Sequence, residues 1–190
     1  ADWQSDFRTG ERDIMNTIIQ KINARPGQRI IAMSDIHGHL ENMQGLLEKL
    51  EYDAEDILVI VGDLVDKGPE SLRTVRYIME LAANAQIFVS EGNVEEHRLE
   101  ILCDTTAGSE ERFREFIHWQ KKHWGRGLLL DMLAELDISA TELTLEDTPA
   151  CRKRMWEHFA PEIAFLRQLP TILEMDDYLF VHGGIPTDDL

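Results

Sequence analysis

Short apolar runs and helical stripes alternate along the first half of the chain. Residues 29–34, Ile57–Val61 and residues 87–90 are dense in isoleucine and valine, the pattern of strands covered on both faces. Between the first two runs, Leu40, Met43, Leu46, Leu47 and Leu50 recur at helical spacing. Between the second and third, Leu72, Val75, Ile78, Met79 and Ala82 do the same, behind Pro69, which suits a first helical position. This order predicts an α/β fold of parallel βαβ units with right-handed crossovers. Upstream, Ile14, Met15, Ile18, Ile19 and Ile22 share one helical face and predict an amphipathic helix ended near Pro26-Gly27.

From 94 to 168 the periodicity is helical only. Stripes recur at Phe113, Phe116 and Ile117, then at Leu128, Leu129, Met132, Leu133 and Leu136. Thr148-Pro149 reads as N-cap and first residue of a helix running through Met155 and Phe159. Tyr178–Val181 returns to strand. The expected organisation is an N-terminal helix in 1–28, a βαβαβ half in 29–93, a helical insertion or cap in 94–168, and the start of a second sheet in 169–190.

Length and charge narrow this picture. With 190 residues the chain can bury one sizeable core. A formal charge of −17 disfavours nucleic acid and anionic membranes as partners. No run is long and apolar enough for a spanning helix. No basic and then apolar leader is visible, so the expected location is cytoplasmic. Cys103 and Cys151 fit neither a zinc knuckle nor a redox pair and read as reduced, structural thiols.

The chemistry sits just past the strands. Asp35-Ile36-His37-Gly38-His39, Gly62-Asp63-Leu64-Val65-Asp66-Lys67-Gly68, Gly92-Asn93 and His182-Gly183-Gly184 each follow a predicted strand. In open α/β sheets ligands collect outside the carboxyl ends of strands. Carboxylate, imidazole and amide oxygen are the donors that hard or borderline divalent cations take. Two such ions about 3.5–4 Å apart can hold a phosphate ester and generate a hydroxide to attack it. Asp35 and His37 can serve one ion, and Asp63, with two oxygens, can bridge two. Asn93 and His182 can serve the second ion, and Asp66 can orient a histidine or a water.

These four motifs resemble those of the calcineurin-like metallophosphoesterases, and most of all the bacterial branch of the serine/threonine phosphoprotein phosphatases. The likeness runs over 29–93 and 169–190. It implies an α/β/β/α sandwich with a dinuclear centre of manganese, iron or zinc. Asp35, His37 and Asp63 would hold the first ion; Asp63, Asn93 and His182 the second. The implied activity is hydrolysis of phosphate esters on a phosphorylated protein or small molecule. Two alternatives stand beside it: hydrolysis of nucleotide anhydrides or phosphodiesters, and a non-catalytic scaffold on the same fold.

The sequence departs from the family pattern at three places. The third motif is usually Gly-Asn-His, whose histidine protonates the leaving group; here it is Gly92-Asn93-Val94-Glu95. His97 is either a substitute or a surface residue. Lys67 and Glu91 stand where the phosphatases carry phosphate-clamping arginines. Arg126, in His123-Trp124-Gly125-Arg126-Gly127, is either a replacement clamp or a surface arginine on an interhelical turn. The family's later Gly-His motif would lie beyond Leu190, so the second sheet is expected to be incomplete, with an edge open to homodimerisation.

Overall fold

The computed structural model describes residues 18–184. Two three-stranded sheets face each other. In the first, β2 (Ile30–Ser34), β3 (Ile57–Val61) and β4 (Gln86–Ser90) run parallel in the order β2-β3-β4. In the second, β1 (Ile19–Lys21) pairs parallel with β5 (Ile172–Met175), which pairs antiparallel with β6 (Tyr178–Val181). Helices α1 (Leu40–Lys49) and α2 (Ser71–Asn84) are the crossovers of the first sheet. Five more follow: α3 (Asn93–Cys103), α4 (Ser109–His123), α5 (Leu128–Glu135), α6 (Thr148–His158) and α7 (Ala160–Arg167).

β3 explains the layering. Its side chains alternate with a period of two, and both sets are buried. Leu58 and Ile60 join the large core under the helices, whereas Ile57 and Val59 meet Ile22, Leu173 and Met175 between the sheets. The stripes expected in 94–168 join the same large core: Phe113, Ile117, Leu129, Met132, Met155 and Phe159 pack in one cluster with Leu64, Val75 and Ile78. Ion pairs and side-chain-to-backbone bonds stitch these helices together. Arg152, 1% exposed, donates from α6 to the carbonyls of Leu102 and Asp104 and to the Glu110 carboxylate. Arg76 on α2 bonds Glu135 on α5 and Glu162 on α7. Both cysteines are free, and burial pushes their thiols up to about 12 at Cys103 and about 11 at Cys151, which keeps them unreactive. No described helix is long and apolar enough to cross a membrane.

Several expectations need correction. Residues 18–22 are not helical: Ile19–Lys21 is a strand, with Ile22 N–H donating to Glu174 O at 2.7 Å. Isoleucines at 18, 19 and 22 suit either element, and pairing with β5 decides; the rest of the expected helix lies outside the described residues. β5 itself was not expected, because four residues behind Pro170 carry too short an alternation to register. Pro69 precedes α2 by two residues rather than opening it. At α6 the N-cap is Asp147, and the Thr148 hydroxyl instead donates to Thr144 O at 2.8 Å.

One contact gives the fold an acid-sensitive element. The Arg29 guanidinium grips Asp56 through two bonds, Nε–Oδ1 at 2.8 Å and a second to Oδ2 at 2.5 Å, and also caps the Leu50 and Glu51 carbonyls after α1. Arg29 and the Asp53 N–H hold the Asp56 carboxyl down at about 2. A carboxyl depressed on folding stabilises fully above its unfolded pKa, near 4, and loses that contribution as the pH falls towards 2. Asp56→Asn should therefore lie below the parent in urea midpoint at pH 5, with the gap narrowing as the pH falls towards 2. A constant gap would show that the carboxylate charge is not what matters.

Candidate active site

The strand register assembles the site. Ser34, Val61 and Ser90 are aligned across β2, β3 and β4, so the residues that follow them emerge on one rim. Asp35 follows β2, Gly62-Asp63 follows β3, and Gly92-Asn93 follows β4 and starts α3. His182 arrives from β6 of the other sheet. Ligand atoms of Asp35, Asp63 and His182 lie within 4.8 Å of one another. His37 Nε2 is 3.4 Å from Asp63 Oδ2 and 3.6 Å from Asp35 Oδ1. On the other side, His182 Nε2 is 3.3 Å from Asp63 Oδ1 and 3.1 Å from Asn93 Oδ1. Asp63 thus presents one oxygen to each imidazole.

The histidine tautomers suit a cation. His37 Nδ1 lies 3.1 Å from Val65 O and His182 Nδ1 lies 3.0 Å from Val61 O. A carbonyl only accepts, so each Nδ1 carries a proton, and in a neutral ring Nε2, on the carboxylate side, would be the nitrogen with a lone pair for a cation. Such backbone anchoring is how metal-ligating histidines are oriented. The donor set, its convergence and the tautomers all fit a divalent ion. Beside the cluster, a cavity of about 300 Å³ is lined by Ser34, Asp35, Val61 and His182 among others.

The loops carrying these groups are strained. Asp35, His37, Asp63, Asp66 and Lys67 all have positive φ, between 48° and 67°. Non-glycine residues seldom adopt that region, and strain of this kind gathers at functional sites. Glu95 supports it. Its buried carboxylate accepts the N–H groups of Asp63 (2.9 Å), Leu64 (2.8 Å), Val65 (3.2 Å) and Gly92 (3.0 Å). Burial, together with the charge of Asp63, pushes this carboxyl up to about 7. Gly62 is also dictated by the site, since a Cβ there would come within 2.7 Å of the His182 ring.

Asp66 does something not expected from the sequence. It is fully buried, and its carboxylate accepts Arg98 Nε (2.5 Å), Gln120 Nε2 (3.0 Å) and Leu128 N–H (2.8 Å), while its own N–H donates to Ser71 Oγ (2.8 Å). Its side-chain bonds go to α3, α4 and α5 rather than to a histidine. Sequence reasoning missed Arg98, which carries no motif, and gave Glu95 no role, although a glutamate at the third position of a helix can reach back to the N-cap N–H, as Glu95 does to Gly92.

The three departures can now be placed. Val94 is 7% exposed, and its N–H donates to Asp63 Oδ1 at 3.2 Å. Lys67 Nζ lies 2.8 Å from His37 Nε2. Glu91 is buried at the end of β4. Arg126 is exposed on the turn before α5. That turn is fastened by Leu128 N–H to Asp66, and Gly127 lets it sit so close that a Cβ would meet Asp66 Oδ1 at 2.7 Å. His97, one turn after Asn93, packs its ring on Phe116 at 5.6 Å.

Known proteins resemble this chain in sequence and in fold. A bis(5'-nucleosyl)-tetraphosphatase (symmetrical) of Methylococcus capsulatus is 39% identical over 158 residues, covering 83% of this chain and 43% of that protein. One from Cellvibrio japonicus is 39% identical over 71 residues, 37% of this chain and 26% of that protein. The chain therefore spans less than half the length of these relatives. Among solved structures, a proposed diadenosine tetraphosphatase superposes with a TM-score of 0.54 at 22% identity, over 91% of this chain and 59% of that one. A serine/threonine phosphatase from Saccharomyces cerevisiae gives 0.51 at 17% identity, over 97% and 45%. At such identities these two likenesses concern the fold alone. The profile of calcineurin-like phosphoesterases matches residues 28–190, and the chain belongs to that family.

Proposed function

We propose that this chain forms the metal-binding part of a hydrolase of nucleotide phosphoanhydrides, with a dinucleoside polyphosphate as the substrate class. Asp35, His37 and Asp63 would hold one divalent ion, and Asp63, Asn93 and His182 the other. Mixed oxygen and nitrogen donors accept manganese, iron or zinc alike. The chemistry such ions supply is neutralisation of phosphoryl charge and activation of water. Lys67 and Arg126 add positive charge at the rim, Lys67 as a point charge and Arg126 as a planar fork. Glu95 and Asp66 hold the loops that aim these groups.

The observation that carries the choice of substrate is Val94. It is buried and apolar where the family's proton donor is expected. An alkoxide, as left by a phosphoserine, needs that proton; a nucleotide phosphate is a stable anion and does not. The names of the relatives point the same way. General acid catalysis is typically worth about 10²–10⁴-fold, so diadenosine tetraphosphate should be cleaved at least about 100-fold faster than a phosphoserine peptide under manganese. Equal rates would overturn this assignment and return the phosphoprotein reading to first place.

A further inference from the structure

Helix α4 carries two stripes. Phe113, Ile117 and Gln120 are buried against the core. A second stripe, Phe116, Trp119 and His123, repeats at helical spacing but is only partly covered, with Trp119 44% exposed. Its rings touch in series. His97 meets Phe116 at 5.6 Å, Phe116 meets Trp119 at 6.1 Å, and Trp119 stacks on His123 and abuts Trp124, both at 5.1 Å. Phe116 also packs against the core, whereas Trp119 and His123 lie on a solvent face that would ordinarily be charged.

The ladder starts beside the candidate site. His97 is one turn along α3 from Asn93, about 6 Å by helical rise. Trp124 is two residues from Arg126. Arg98 joins the ladder to the metal-site loops: its guanidinium is bonded to Asp66 and lies 4.6 Å from the Phe116 ring centre and 5.9 Å from that of Trp124. The stripe is thus locked in register with the rim.

We infer that this ladder is a stacking platform for a nucleobase of the substrate, with Trp119 as its main surface. The inference rests on the nucleotide reading above and adds to it where the base lies. Flat π-faces on a rigid helix accept any base without reading its edge, so recognition here is by aromaticity rather than base identity. The adjoining Arg126 faces the solvent where the phosphate chain would run towards the cluster.

The test compares diadenosine tetraphosphate with inorganic tripolyphosphate, an anhydride that has no base. In Trp119→Ala the ratio of the first KM to the second should rise about ten-fold, and Trp119→Phe should recover most of it. An unchanged ratio in Trp119→Ala overturns the platform and leaves the nucleotide reading standing. Binding is read without turnover by titrating metal-free protein with AMP and with ribose 5-phosphate. AMP should bind, ribose 5-phosphate should bind at least about ten-fold more weakly, and Trp119→Ala should erase the difference. If no nucleotide anhydride is hydrolysed at all, the activity reading falls and this titration alone decides the platform: equal binding of the two probes by the parent protein refutes it.

Discussion

Asp63→Asn is expected to lower hydrolysis by at least about three orders of magnitude while leaving the fold intact. Several kcal/mol of transition-state stabilisation depend on divalent ions, and each 1.36 kcal/mol is a factor of ten. Asp63 presents one oxygen to each imidazole, at 3.4 Å and 3.3 Å, so neutralising it weakens both halves of the set. Asparagine tolerates the positive φ of 53° at this position, and its amide oxygen can still accept the Val94 N–H. It also removes a charge that opposes ionisation of buried Glu95, so the metal-free protein should lose no stability. Elemental analysis after incubation with manganese should show the ion content falling together with turnover, at unchanged circular dichroism. Full turnover or a full complement of ions in the variant would refute the bridging role.

Asp66→Ala should instead damage the fold. Asp66 and Arg98 form a buried pair, with side-chain exposures of 0% and 7%. Removing one member strands the other in a low-dielectric interior, which costs about 3–5 kcal/mol. Gln120 and the Leu128 N–H lose their acceptor as well. The urea midpoint should fall accordingly, and the turn bearing Arg126 should become sensitive to protease. Replacing both partners by apolar residues, Asp66→Leu with Arg98→Met, should recover only the part due to the stranded Arg98, because Gln120 and the Leu128 N–H still lack an acceptor and leucine is strained at a φ of 67°. It should not restore the placement of Arg126, which depends on the carboxylate. A loss under about 1 kcal/mol in Asp66→Ala would mean that water reaches the pair.

Much of the first sheet was legible because β2, β3 and β4 are short apolar runs, although only β3 is buried along nearly its whole length and β2 exposes alternate residues. Continuous Ile/Val runs have few other readings, and the periodic helices between them fix the parallel order. The second sheet was less legible. β1 and β5 are three and four residues long, and their partners are some 150 residues apart in sequence, so no local pattern announces them. Isoleucines 18, 19 and 22 satisfied a helical spacing equally well. Strand pairing and burial of Ile22 between the sheets overrode that local preference.

For the site, residue type and position after a strand were enough to pick out Asp35, His37, Asp63, Asn93 and His182. These side chains have few structural uses at strand ends, and strand order brings strand ends to one rim. Asp66 was also picked out, but with a partner it does not have. Whether a carboxylate faces a histidine or an arginine depends on what α3 and α4 bring to it from 32 and 54 residues away. Glu95 was visible as an acidic residue but not as the acceptor of four N–H groups, since only the folded loops bring those donors together. Phe116 was read in one stripe with Phe113 and Ile117 while Trp119 was given no role, because hydrophobic spacing reports a face and not whether something covers it. The sequence by itself determined the candidate ligand types, their order and the βαβ frame, since each is set by local periodicity and covalent spacing. Tertiary structure alone decided the partners of Asp66, the tautomers of the histidines and the exposure of Trp119, because each depends on groups that only long-range packing brings into contact.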